Sequence, residues 1–409
     1  MRSDTPTLDV AERDCPAAAA DLRLPLQAAL LLDTLAGMAL SLVISVNVFI
    51  TTGSAFLAAA VFAVQQLFLV LFGGKLATAG LGRLAPARLC AVAEVAVAAG
   101  TVAVVATMGA GSWALYVALA LRGIAEGMAR GTRFAVLREA ATGGNVARLS
   151  AAVGGAQHVG RALAALLAFS LIGTVDPSHL AMLTIVPTLA AAAIYSGISA
   201  RMSSIRRGER TADVQATEPT AGTAPSPSVR QLLLNLGLVD VAFQGYHTVA
   251  RTALPIGLFA GGAQSALALQ LLANCAMFAA AWLLGRGHMA IGHSIPRAAT
   301  ALTASLALAA VLAGSLHAAL AVYVLFIFSY EYCFTRLQAM LVATAEARTL
   351  APTMIRFNAM TSALVALAAL AIGAVADGLG LRMAAAITAA TVVLGLAALA
   401  ITERRSRTA

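Results

Sequence analysis

The chain has 409 residues, 60% of them hydrophobic and only 11% charged, with a formal net charge of +9. A soluble domain carries about a quarter charged residues, so that class is excluded. The basic excess does not mark a nucleic-acid binder either, because the arginines lie in short segments between apolar runs and no basic polar domain exists to hold them.

Residues 1–22 are polar and mixed in charge, with no apolar run before Leu24. A cleavable leader is therefore not expected, and the first apolar stretch serves as the insertion signal. A spanning helix needs roughly 20 mostly apolar residues. Twelve stretches meet that need, near 24–50, 54–74, 89–109, 112–132, 149–172, 179–199, 231–259, 263–285, 297–315, 318–340, 355–376 and 382–402. With the N-terminus in the cytoplasm, 23 of the 27 Lys and Arg fall on the cytoplasmic side. Arg122, Arg161 and Arg251 lie inside spans and Arg382 alone falls outside. That sorting satisfies the positive-inside rule and puts both termini in the cytoplasm. Alanine is abundant and arginine replaces lysine almost throughout, with Lys75 the single lysine, a bias of GC-rich genomes, so a bacterial inner membrane is expected. Cys15, Cys90, Cys275 and Cys333 have no metal-ligand spacing, so neither a metal nor a cofactor is expected.

Residues 201–230 are the one long polar segment, rich in Pro, Thr, Ser and charge, and read as a flexible linker. The expected organisation is a tail (1–22), a six-helix bundle (23–200), the linker (201–230), a second six-helix bundle (231–402) and a tail (403–409). The halves look duplicated. Arg23 precedes Asp33 by ten residues (RLPLQAALLLD), and Arg230 precedes Asp240 by the same ten (RQLLLNLGLVD). Spans 4 and 10 end in Thr132-Arg133-Phe134 and Thr335-Arg336-Leu337. Spans 5 and 11 open on Arg148-Leu149-Ser150-Ala151 and Arg356-Phe357-Asn358-Ala359. Three matches in order, in corresponding spans, make a 6+6 parallel repeat, a pattern found in secondary transporters.

Span 4 carries an intramembrane arginine followed by glycine, in Leu121-Arg122-Gly123. The stretch FGGKLATAGLGRLAPAR (72–88) follows span 2. With the 6+6 layout these resemble the major facilitator superfamily over nearly the whole chain. The resemblance implies a fold of two six-helix bundles, a proton-coupling role for Arg122 and a gating loop at Gly74, Gly82 and Arg83. Thr78 stands where the family's loop has an acid, and span 5 lacks the Gly-Pro pair of drug antiporters.

Charges in the hydrocarbon cost about 2.5–3.5 kcal/mol each, so those retained are paired or used. Arg122 and Glu126, at i and i+4, share a helix face and are expected to pair, either as a static packing bond or as part of the machinery. Arg130 and Arg133 read as solvated or lipid-facing anchors, and Glu94 as an interfacial residue. Asp33 has no partner in its own helix. The resemblance sets span 1 beside spans 4 and 5, which makes Arg122 or Arg161 its candidate partner; the alternative is a protonated acid bonded to a carbonyl. Asp240, Gln244, His247 and Arg251 follow spacings of four, three and four, which hold one face of a helix. Pro255 is expected to bend the end beyond them. Gln157, His158 and Arg161 on span 5, Gln270 and Asn274 on span 8, and Tyr330 and Glu331 on span 10 complete the candidate set. Each also suits plain hydrogen bonding across the bundle. Trp113 and Trp282 read as interfacial anchors.

The expectation is a secondary active transporter of a small organic molecule working by alternating access, with proton-coupled efflux favoured. Asp33, Arg122, Glu126, Asp240 and Glu331 are the proton-coupling candidates, and the remaining polar residues line the cavity. Uptake of a polar metabolite, by symport or facilitated diffusion, is the alternative. A membrane-embedded transferase is disfavoured, since His288 and His293 lack an acidic partner nearby, and no nucleotide-binding sequence supports ATP drive. The expected partners are substrate, protons and the bilayer, and the chain is expected to act as a monomer. Counting Asp33, Glu126, Asp240 and Glu331 against Arg122, Arg161 and Arg251 leans toward a cationic or zwitterionic substrate.

Overall fold

A computed structural model describes residues 17–408, apart from Gly82 and residues 109–111, 141–145, 173, 209–226, 286–294 and 345–346. Most of the expected linker and the N-terminal tail lie outside the described residues. Among the described residues, twelve helices run in chain order: α1 (Ala17–Thr52), α2 (55–81), α3 (Pro86–Thr107), α4 (Ser112–Ala140), α5 (Val146–Leu171), α6 (177–208), α7 (227–258), α8 (Ala263–Gly285), α9 (Ile295–Leu312), α10 (Leu316–Thr344), α11 (Ala347–Leu379) and α12 (Leu381–Thr408). Among the described residues there is no strand beyond a single bridge between Ile172 and Val175. A chain in hydrocarbon must satisfy every backbone polar group internally, and a helix does so within one segment. Pro86, Pro177 and Pro227 open α3, α6 and α7, where a missing N–H costs nothing. Asp176 caps α6 by accepting from the Ser178 amide at 2.8 Å.

Among the described residues, eight helices are long and apolar enough to cross a membrane by length and composition. Of the others, α4, α5 and α7 carry the intramembrane arginines, and the apolar part of α9 (Arg297–Leu312) is short. Three of these four, α4, α5 and α7, carry candidate site residues. Large apolar side chains such as Leu121, Leu166, Leu325 and Leu394 are exposed on the outside of the bundle, as lipid-facing positions should be. The exposed Trp113 and Trp282 fit the expected anchors.

Packing follows the duplication. In the first half α1 packs on α2, α5 and α6, α3 on α4 and α6, and α2 on α4. In the second half α7 packs on α11 and α12, α9 on α10 and α12, and α8 on α10. Between halves the main contacts are α2 with α11 and α5 with α8, and a shift of six helices turns one pair into the other. Small residues bring the backbones close. A Cβ on Gly123 of α4 would lie 2.6 Å from the Gln65 carbonyl oxygen of α2. One on Gly160 of α5 would lie 2.7 Å from that of Leu31 in α1.

Candidate substrate and proton site

The charged residues form two groups with different chemistry. The first is inside the N-terminal half and is fully ion-paired. Arg122, 2% exposed, donates from Nε to Thr101 Oγ1 (3.2 Å) and from Nη1 to Gln65 Oε1 (3.0 Å) and Glu126 Oε2 (2.8 Å). The expected i, i+4 pair forms, and Arg130 joins it on the other carboxylate oxygen of Glu126. Asp33 is not paired with Arg122 or Arg161. Its partner is Arg133, whose Nη2 lies 2.7 Å from Asp33 Oδ1 and 2.9 Å from Glu94 Oε1. Arg133 is therefore no lipid-facing anchor, and Glu94, 0% exposed, is no interfacial residue. Helix α4 continues to Ala140, so Arg133 lies seven residues from its end, within reach of α1 and α3.

The second group lies in the C-terminal half and on the seam with α5. Helix α7 is regular over Pro227–Val239 and Gly245–Thr252; Asp240–Gln244 between them and Ala253–Leu258 after them are π-helical. Pro255 sits in the second of these, where a looser turn accommodates its missing N–H. Such π segments frequently mark functional sites. Asp240 accepts from the Tyr330 hydroxyl at 3.1 Å, and Glu331 accepts from the Thr335 hydroxyl at 3.1 Å. Among the described residues, neither acid has a basic nitrogen within ion-pairing distance. His247, buried, places Nδ1 2.8 Å from the Tyr323 hydroxyl. On the seam, Asn274 of α8 donates to the Arg161 carbonyl of α5 at 3.1 Å and contacts Gln270 at 3.4 Å.

Arg161 connects this group, interacting electrostatically with Glu331, Tyr330, His158 and His247. The structure thus gathers Arg161, His158, His247, Asn274, Tyr330 and Glu331, and links Asp240 and Arg251 to them through Tyr330 and His247. Gln157 and Gln244 are half-buried on α5 and α7. Asp33, Arg122 and Glu126 stand apart in the N-terminal network. The tally of free charge changes accordingly, because Asp33 and Glu126 are already neutralised by arginines. Of the expected gating loop, Gly74 falls within α2, Arg83 is exposed in the turn after it, and Gly82 lies outside the described residues.

At the end of the bundle remote from the start of α1, the halves are fastened together. Asp377, near the end of α11, accepts from Ser54 Oγ (2.6 Å), the Ala55 amide (2.7 Å) and the Phe56 amide (3.2 Å). Ser54 in turn accepts from the Leu57 amide at 3.0 Å. The first three donors of α2 are satisfied, two of them by a carboxylate from the other half. One turn back, Gly373 lets α11 lie against the Phe56 backbone, where a Cβ would come within 2.8 Å of Phe56 Cα. A cavity of about 500 Å³ adjoins the fastening, lined by Phe49, Ala253, Gly257 and Asp377 among others.

No family model matches the chain, and no curated protein matches it significantly. Solved structures do. A bacterial homologue of the human lysosomal transporter Spinster, in an inward-facing and unoccupied conformation, superposes with a TM-score of 0.70 at 16% identity, over 96% of this chain and 98% of its own. The nucleoside transporter NupG gives 0.67 at 13% identity, over 93% and 98%. The human organic anion transporter MFSD10 (TETRAN) gives 0.62 at 16% identity, over 93% and 99%. The chain has the major facilitator fold. Within that fold, sequence reasoning missed Glu94, Arg133 and Asp377 as members of polar networks. The Thr-Arg repeat at 132–133 and 335–336 was the available signal for Arg133. For Asp377, the signal was an acid next to the short α11–α12 turn at Gly380, whose φ of +85° suits glycine.

Proposed function

We propose that this chain is a secondary active transporter that moves a small organic molecule across a bacterial inner membrane by alternating access, coupled to protons and running toward export. The fold supports the class, since the superposed solved structures are transporters. The sorting of basic residues supports cytoplasmic termini, so the fastened end faces outward and the conformer corresponds to an inward-facing state. Cysteine labelling from outside should then reach the turn at 174–179 and not the segment 209–226.

The observation that carries proton coupling is the unequal treatment of the acids. An arginine beside a buried carboxylate keeps it charged, whereas a buried carboxyl facing only hydroxyls can exchange its proton. Asp33 and Glu126 are of the first kind, each ion-paired with an arginine; Asp240 and Glu331, next to the seam, are hydrogen-bonded only by hydroxyls, with Arg161 acting on Glu331 from beyond ion-pairing distance. The proton role therefore falls on Asp240 and Glu331, with Arg161 between them and the N-terminal half. Asp33 and Arg122 hold the N-terminal bundle rigid. Proteoliposomes loaded with a pH-sensitive dye and challenged with amines, carboxylates, sugars and nucleosides test this. One class should drive proton movement in the wild type, and Asp240→Asn with Glu331→Gln should abolish it. Undiminished proton movement in that double variant would falsify the assignment.

A further inference from the structure

Arg251 is 5% exposed, yet its Nε and Nη2 have no hydrogen-bond partner among the described residues. The other buried arginines among the described residues have counter-charges, although Arg133 too leaves its Nε unpaired. Arg122 has a partner for Nε and two for Nη1, and Arg133 meets two carboxylates. A buried guanidinium without a counter-charge is too costly to serve packing alone. The groups within electrostatic reach add positive charge or none: His247 lies one turn back and Tyr323 across on α10, while Arg161, across the seam, acts on the same histidine. A second orphan stands on the neighbouring helix, where Gln270, 1% exposed, leaves Oε1 unpaired.

The two free nitrogens are the informative detail. Nε and Nη2 lie along one edge of the guanidinium and present parallel N–H groups, the fork that accepts both oxygens of a carboxylate. Gln270 Oε1 is an acceptor and suits a hydroxyl or amide N–H elsewhere on the same molecule.

We propose that the substrate is a small organic carboxylate, bound side-on by the Nε/Nη2 edge of Arg251 with its polar substituent on Gln270 Oε1. The inference rests on the transport reading and narrows it, replacing the cationic or zwitterionic lean of the raw charge tally. Arg251→Gln removes an unpaired buried charge, so it leaves the ligand-free protein at least as stable as the wild type. A purely structural arginine would behave in the opposite way.

The test is thermal unfolding of the purified full chain with a matched probe set: benzoate, mandelate, benzamide, benzylamine and phenyl phosphate. Carboxylates are expected to stabilise the wild type while benzamide and benzylamine do not, and mandelate, with its hydroxyl, is expected to exceed benzoate. Arg251→Gln should weaken carboxylate binding by roughly thirtyfold or more, the cost of losing one side of a buried charge pair. Arg251→Lys, which keeps the charge without the fork, should recover part of it. Gln270→Leu should erase the advantage of mandelate. No carboxylate stabilisation, equal stabilisation by the amine, preference for phenyl phosphate, or a lower unfolding temperature for ligand-free Arg251→Gln would each overturn the proposal. Proteoliposome flux separates the two readings. A carboxylate that binds through Arg251 without crossing removes the transport reading alone. An amine carried equally well by wild type and Arg251→Gln removes the carboxylate alone.

Discussion

Replacing Asp377 by alanine should release the far end of the bundle. The carboxylate supplies three hydrogen bonds to the start of α2, two of them to backbone amides that have no partner within their own helix. An N-terminal cap is worth about 0.5–2 kcal/mol, and a negative charge at a helix N-terminus adds about 0.3–1 kcal/mol. Asp377 is exposed, so solvent takes the lower part of each range, and a combined loss of about 1–2 kcal/mol follows. If the bonds exist only while that end is closed, the loss shifts the open-to-closed ratio there by roughly 5–30-fold. Ala253 reports the change, being buried beside the fastening and small enough for cysteine to replace it gently. In a chain whose four native cysteines are replaced, Ala253→Cys should react with an impermeant maleimide roughly tenfold faster once Asp377→Ala is added. Asp377→Asn keeps an acceptor but not the charge, and should lie between. The global unfolding temperature should hardly move, since the rest of the seam is untouched. An unchanged labelling rate, or one that rises only together with global destabilisation, would show that the cap does not control opening.

Arg133→Gln should lower stability by about 3–5 kcal/mol, because Asp33 and Glu94 would be left as neighbouring buried acids without a cation; thermal unfolding in detergent checks this, and Asp33→Asn alone should cost less because Arg133 keeps Glu94. Gly123→Ala should destabilise by about 1–3 kcal/mol, since the new methyl would press on the Gln65 backbone. Gly155→Ala, with open space at its Cβ, should instead be neutral or stabilising by up to about 1 kcal/mol on the same measurement. Hydrogen bonds from Ser178 hold the Asp176 carboxyl below its usual range. Its cap on α6 is therefore complete above about pH 4 and fades as the pH falls through the lowered value. Amide exchange at Ser178, compared with Asp176→Asn whose cap does not titrate, should show protection lost only in the wild type under acid conditions.

The spans were legible because each helix must hide its backbone in a long apolar run, and that requirement is written in composition. The repeat was legible too, because the ten-residue offset from Arg23 to Asp33 recurs from Arg230 to Asp240. Pairing across helices was not. Arg122 and Glu126 could be matched because a helix repeats every three to four residues, but Asp33, Glu94 and Arg133 come from three helices. Nothing in linear order says that they meet. Arg133 was also set too shallow, because the apolar run of span 4 fades near residue 132 while the helix continues eight residues further. The spacing of the polar residues on α7 was legible, yet the π-helical turns at Asp240–Gln244 and Ala253–Leu258 leave no mark in residue type beyond Pro255.

Those two turns have a consequence for how chain length encodes the site. Each wider turn spaces its residues differently from an α-turn, so the angle between Asp240 and Arg251 around α7 depends on the number of residues between them as well as on their identity. If the 240–244 segment reverted to a regular helix with its length unchanged, Asp240 would turn by one residue's rotation, about 100°, relative to Arg251, whereas deleting one residue as it reverts would restore the phase. Every charged group would be present in the first case, and the acid and the guanidinium would face differently. In this helix the extra residue and the wide turn compensate each other, so losing either one alone is a change of phase.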